Sequence, residues 1–385
     1  MTREWGTRAL RALREPLKLF LATRVPLLLA MYLGLVIVPL DAKPGQWRMK
    51  PDNLFLDGWF RWDSGWYVQI ARDGYTAIPN ADGQTDVTFW PLFPMLARLV
   101  AKVFATDDVA LVMFGLNHVL LFGCTFFLFH LTRKRHGADI ARLATVLFLT
   151  YPYAIYYSAG YSEATFLFFA LGAFYFASDE RWALASIFAG IGSASRGVAF
   201  MIAVGVVALY LEKREWKLRR IRPDALWLVL GFIGVTAYTY YLHRTFHDPF
   251  AYVRSFTAKG WGADISSQRL FDTLALLVHP ENWAKGIYVP DLMCLLALVF
   301  FTVMTLIAIP RVPIGETLFA LGSIVVYAKM WVTAGRYVGT IFPVYITLAR
   351  FLQPRPNART AVQTTWAALL ALFAFVFGHW MWVSG

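Results

Sequence analysis

Charge is what this chain lacks most. Asp, Glu, Lys and Arg make up 16% of its 385 residues, against roughly 25% in ordinary soluble domains. A water-soluble globule with a charged shell is therefore excluded. Cysteine is nearly absent: Cys124 and Cys294 both fall inside apolar runs and read as small buried residues. Two such residues build no disulfide framework, and no Cys/His spacing suits a metal; no cofactor is expected. Internal repeats and low-complexity tracts are missing, and with them the mark of transporters built from paired halves with broken helices. No Asn-x-Ser/Thr sequon occurs and the loops are compact, which fits a prokaryotic origin.

Apolar residues are what is there: 58% of the chain is hydrophobic and 17% aromatic, with a mean hydropathy of +0.51. Many apolar runs approach the roughly 20 residues that cross a bilayer. Spans are predicted at about 25–40, 109–131, 143–158, 162–178, 183–195, 197–211, 224–242, 290–309, 314–331, 338–352 and 362–383. The expected fold is an all-α polytopic membrane protein, a single domain over 1–385 with about 11 transmembrane helices. The stretch after the basic amino terminus has no small-residue cleavage site, so the first span is expected to stay.

A formal charge of +12 would suit nucleic acid, but its distribution argues otherwise. With the amino terminus in the cytoplasm, the cytoplasmic segments hold 21 of the 36 Lys/Arg and about nine Asp/Glu. The outer segments hold 15 of each. That asymmetry is the positive-inside pattern of membrane insertion, and no nucleic-acid partner is needed to explain it.

Residues 1–24 read as a cytoplasmic amphipathic basic segment lying on anionic headgroups. A first outer loop, 41–108, carries nine Asp and two predicted short helices: 63–72, closed by Gly74, and 91–104 along the membrane surface. Residues 183–211 must leave the cytoplasmic side and return, turning at 193–197, so Arg196 is placed on the outer side. A second outer loop covers 243–289.

The chemistry concentrates in a few outer-side residues. Asp63 sits among Phe60, Trp62, Trp66 and Tyr67; it suits the capping of a helix start and equally the removal of a proton from a hydroxyl. Trp62, Trp66 and Tyr67 could belong to the interfacial aromatic belt or stack on a sugar. Glu163 opens the fourth span, where the helix dipole favours a carboxylate. Arg196, at a tight turn between apolar arms, needs a counter-charge or a wet cavity. Arg336, followed by Tyr337, occupies the next outer turn and matches phosphate geometry in two-pronged fashion. Lys259 and His279 are weaker candidates in the second outer loop. Carboxylates and arginines gathered over an apolar bundle suit a substrate with an anionic head and a greasy tail.

Several blocks resemble the PIG-V family, the GPI mannosyltransferase II of GPI-anchor synthesis, and its prokaryotic relatives, which are GT-C glycosyltransferases. They are RWDSGWYVQIARDGY (61–75), TFWPLFPML (88–96), YPYAIYYSAGYSEATFLFF (151–169), SASRGVAFM (193–201), HDPFAYVRSFTAKGW (247–261) and GRYVGTIFPVY (335–345). The resemblance implies a GT-C type bundle and transfer of mannose, with inversion, from a polyprenyl- or dolichyl-phosphate donor to a lipid-linked or glycan hydroxyl. It also implies an acidic base in the first outer loop, the place where Asp63 stands, and no metal. Arg336 and Arg196 would then hold the donor phosphate, Glu163 would orient a hydroxyl or pair with an arginine, and the partners would be donor, acceptor and bilayer. The expected location is the plasma (inner) membrane of a prokaryote or the ER membrane of a eukaryote, with the active face outward or lumenal. The rival reading is a transporter or flippase of an amphipathic anionic lipid.

Overall fold

In the computed structural model the residues described are 2–40, 47–80, 83–257, 267–279, 281–282, 288–381 and 383. Among them every regular element is helical. The first, α1 (Thr2–Ile37), runs unbroken through Pro16 and Pro26. No separate surface helix therefore ends at Arg24, and the apolar stretch fit to span begins at Arg11. Arg24 is buried: its guanidinium donates to the Leu149 carbonyl, and at 3.4 Å to the Ala154 carbonyl and to Ser158 Oγ. Carbonyls at a helix end stand in for the carboxylate a buried cation would otherwise demand.

Two short helices follow, α2 (Leu54–Asp57) and α3 (Ser64–Asp73), then α4 (Leu92–Val103). Gly74 closes α3 with a φ of 90°, a conformation open to glycine. The long α5 (Val109–Thr150) breaks at Gly137, φ 83°. Contacts with α1 show that the chain reverses there. His130 bonds to Ala12 and Phe122 packs on Phe20, whereas Arg142 pairs with Glu15 and Leu149 meets Arg24. One arm of α5 thus runs against α1 and the other along it.

At the centre lies α6 (Glu163–Ser178), apolar on every side and almost wholly buried, as a helix enclosed by others must be. Next come α7 (Trp182–Gly192) and α8 (Phe200–Lys213). Trp182 at the start of α7 packs edge-on against Tyr210 near the end of α8, so the two form a hairpin whose turn carries Arg196. The chain continues through α9 (Ile233–Phe246), α10 (Ala251–Thr257), α11 (Ser267–Ala275), α12 (Val289–Ala308) and α13 (Ile314–Ala328). A 110° bend separates α13 from the turn that carries α14 (Ala334–Val338). The bundle ends with α15 (Pro343–Leu352) and α16 (Pro356–Gly378).

Among the described residues five helices are long and apolar enough to cross a membrane, or six if the bent pair counts as one span. By length and composition these are fewer full-length spans than the eleven expected. The expected fourth, fifth and tenth become the shorter α6, α7 and α15, and the second and third are the two arms of α5. Several apolar helices of this kind make a multi-pass membrane protein.

Candidate active site

One end of the bundle gathers five loops, and the first is fixed by an arginine absent from the candidates named above. Arg61 and Asp57 are both fully buried and 2.9 Å apart. Arg61 also donates to the carbonyls of Asp57 (2.5 Å) and Phe60 (2.8 Å) and, through Nε, to Gly378 O at 2.9 Å. It thereby fastens the 57–61 turn to the end of α16. Desolvating two charges is costly unless such bonds complete the shell, and here they do. Trp62 follows with φ 53°, a conformation uncommon for a bulky residue. This sharp turn brings Asp63 to the start of α3.

Asp63 occupies the N-cap position, but its side chain caps nothing. It reaches Arg336 instead, Oδ2 to Nη2 2.8 Å, with Asp63 13% and Arg336 6% exposed. Next to this turn lies segment 158–163. The Gly160 N–H donates to the Trp59 carbonyl at 3.0 Å, and a Cβ at Gly160 would stand 2.6 Å from the Phe60 ring; only glycine permits that approach. Tyr161 Oη donates to the Arg61 carbonyl at 3.0 Å, and Tyr67 Oη lies 2.9 Å from Ser162 Oγ. Asn117 of α5 donates to the Tyr161 carbonyl at 3.0 Å. Glu163 then opens α6, 1% exposed, with Oε1 2.9 Å from Arg196 Nη1.

The Leu92 N–H donates to the Ala194 carbonyl at 3.0 Å, tying the entry of α4 to the turn that carries Arg196. Arg336 arrives on α14, where Gly335 leaves no room for a side chain against the Tyr153 ring. Its Nη2 also donates to Tyr337 Oη at 2.7 Å, and its Cζ lies 4.7, 5.2 and 5.4 Å from the ring centres of Tyr337, Tyr161 and Tyr156. Arg196 Cζ lies 4.5 Å from the centre of the same Tyr337 ring. Two cations sharing one ring repel each other, and each has its own carboxylate. Even so, Arg336 Nε and Nη1, Arg196 Nη1 and both Glu163 oxygens are buried without a well-aligned hydrogen bond. Buried polar atoms are seldom left so.

The structure therefore brings together Asp63, Glu163, Arg196, Arg336 and Tyr337. The aromatic candidates differ from one another. Tyr67 is buried, its ring edge-on to Phe89 (5.1 Å) and Phe93 (5.3 Å). Burial pushes its phenol above the ordinary value, so it stays protonated, and its place is in the packing of α3 on α4 and on the 158–163 segment. Trp66 stacks on Phe89 at 5.9 Å, and Trp62 meets Trp380 edge-on at 5.4 Å; both are half-buried. Lys259 lies outside the described residues. His279 is exposed and pairs with Glu281 at 3.1 Å. Sequence reasoning missed Tyr156 and Tyr161, whose rings wall Arg336, although both lie within the 151–169 block. It also missed the Asp57–Arg61 pair, whose one signal was a second carboxylate four residues before an arginine.

Among the described residues no group of three metal-ligating side chains is placed to hold an ion. A cleft of about 720 Å³ runs between α3 and α4, lined by Arg72, Arg98 and Lys102 among others, and includes none of the paired charges. The opposite end of the bundle is basic. There Lys134 pairs with Asp179 beyond the end of α6 and Arg214 with Asp224. The 16 residues of α6 put it about 24 Å from Glu163.

Such a site offers one carboxylate able to accept a proton and two guanidiniums able to hold a phosphate. No curated protein matches the sequence. Among solved structures, an oligosaccharyltransferase of Archaeoglobus fulgidus, crystallised with Zn and sulfate, is 15% identical with a TM-score of 0.48 over 92% of this chain and 53% of its own. AglB of the same organism, in complex with an inhibitory peptide and a dolichol-phosphate, is 14% identical with a TM-score of 0.40 over 94% and 55%. This chain thus spans about half their length, and these likenesses carry no argument about its chemistry. Residues 18–246 match the family described as mannosyltransferase (PIG-V). That stretch includes Asp63, Glu163 and Arg196 and amounts to more than half of the sequence, so the chain belongs to the PIG-V mannosyltransferase family.

Proposed function

We propose that this protein transfers mannose from a polyprenyl- or dolichyl-phosphate carrier to a hydroxyl of a lipid-linked or glycan acceptor, on the non-cytoplasmic face of the membrane. The observation that carries this reading is the Asp63–Arg336 contact of 2.8 Å. It puts a candidate base and a candidate phosphate ligand within one bond of each other, in a family of mannosyltransferases.

Asp63 takes the proton of the acceptor hydroxyl as its oxygen attacks the anomeric carbon. A new carbon–oxygen bond forms while the bond from that carbon to the phosphate oxygen breaks, its electron pair leaving with the lipid phosphate. Attack from the face opposite the phosphate inverts the anomeric centre. General-base assistance contributes typically 10²–10⁴-fold. Arg336 and Arg196 stabilise the charge that collects on the departing phosphate, and such pre-aimed cations act strongly where water is excluded. Glu163 keeps Arg196 oriented. Trp62 and Trp66 stand beside Asp63 where a sugar ring could stack, and the prenyl tail lies between helices. The basic end, opposite the site, supports an outward-facing site through the positive-inside rule.

Purified chain incubated with labelled polyprenyl-phosphate mannose and a lipid extract is expected to form a labelled product. Absence of any product across bacterial and eukaryotic extracts would contradict the reading.

A further inference from the structure

Arg336 is claimed twice: by Asp63 in the structure, and by the lipid phosphate in the proposed reaction. Both claims cannot be met by the same N–H groups. Nη2 already serves Asp63 and Tyr337, whereas Nε and Nη1 are buried without an acceptor. The guanidinium is 6% exposed and walled by the rings of Tyr156, Tyr161 and Tyr337, so it cannot swing out to meet a ligand. A phosphate must come to it, one oxygen taking the place on Nη2 that Asp63 holds while a second meets the unserved Nη1 in two-pronged fashion.

Resting on the proposed function, we infer that Arg336 works as an interlock: Asp63 holds the place of a phosphate oxygen, and binding of the donor lipid phosphate releases Asp63 to act as a base. The Asp63 oxygen bonded to the guanidinium at 2.8 Å is already engaged and is held away from an incoming hydroxyl. Once the phosphate neutralises Arg336, that restraint is lifted. Donor then precedes acceptor, and Asp63 cannot activate a hydroxyl or water before a glycosyl phosphate is in place. Glu163–Arg196 does not compete in this exchange. Its carboxylate is 1% exposed and lies at the start of α6, so it stays as the fixed counter-charge while the other pair opens.

The test compares binding of a water-soluble ten-carbon prenyl phosphate to the detergent-solubilised full chain and three variants. Asp63→Asn frees Arg336 and is expected to bind the probe about tenfold to a hundredfold more tightly, the worth of one charge-assisted bond. Arg336→Ala should bind it more weakly. In Arg336→Ala, adding Asp63→Asn should give a several-fold smaller gain, because only plain repulsion is then relieved. Equal gains in both backgrounds, or no gain, would overturn the interlock. Should Asp63→Asn fail to fold, a map of wild-type protein with the probe decides. The inference expects phosphate on Arg336 and Asp63 beyond about 4 Å, the ion-pair limit, and an intact Asp63–Arg336 pair would refute it. An inactive Asp63→Asn with unchanged affinity sinks the interlock alone, whereas a fully active Asp63→Asn sinks the proposed function.

Discussion

At the scale of single residues, the site is two crossed ion pairs set in tyrosine rings. A buried pair adds little net stability over an apolar one, but removing one partner strands a charge, at about 3–5 kcal/mol. Glu163→Ala should therefore lower the thermal stability of the purified protein by an amount in that range. Glu163→Leu combined with Arg196→Met should recover much of the loss and remain inactive; a double variant no more stable than Glu163→Ala would refute the pairing. Arg61→Met is predicted to behave like Glu163→Ala in a thermal melt, because Asp57 loses its inner partner. Its turnover should fall as well, since Arg61 fixes the turn that aims Asp63. Asp63, Glu163, Arg196 and Arg336 were legible in the sequence because charges in apolar surroundings stand out. Pairing of Glu163 with an arginine was expected, but which carboxylate takes which arginine was not legible: Asp63 takes the arginine 273 positions away, and no periodicity encodes that. Arg24 was misplaced for a related reason. An arginine at the edge of an apolar run normally snorkels to the headgroups, and its carbonyl partners at the end of α5 and in the turn after it become visible only once the bundle is assembled.

At the scale of elements, close glycine contacts decide where the loops meet. A Cβ at Gly335 would stand 2.3 Å from Tyr153, so Gly335→Ala must push α14, and Arg336 with it, off the Tyr153 wall. Overpacking of this kind costs typically 1–3 kcal/mol. Turnover should drop together with stability, whereas Gly115→Ala, which meets nothing within 4 Å, should change neither. A thermal melt and a transfer assay on the two variants check this. The short helix after Asp63 was readable from the glycine that closes it, and the hairpin around Arg196 from charge. The continuity of α1 was not, since basic residues in its first half suggested a surface segment. Nor was the shortening of α6, α7 and α15, because an apolar run enclosed by other helices need not reach the full bilayer thickness. Its length is then set by packing.

At the scale of the whole molecule, a basic cluster and the site lie at opposite ends, and the proposed outward-facing chemistry rests on that polarity through the positive-inside rule. Cys124 and Cys294 are buried, so introduced thiols can be labelled against a low background. Asp73→Cys near the site and Arg133→Cys at the basic end are both exposed positions. An impermeant maleimide on intact cells is expected to label the first and to reach the second only after permeabilisation; the reverse would put the site in the cytoplasm. The central claim is that this face carries a base acting on a lipid-phosphate sugar. The most direct test reconstitutes the purified chain into vesicles with labelled polyprenyl-phosphate mannose and acceptor lipids, and compares wild type with Asp63→Asn. The account predicts product from wild type and a rate at least about a hundredfold lower from the variant. Equal rates from two well-folded preparations would contradict it.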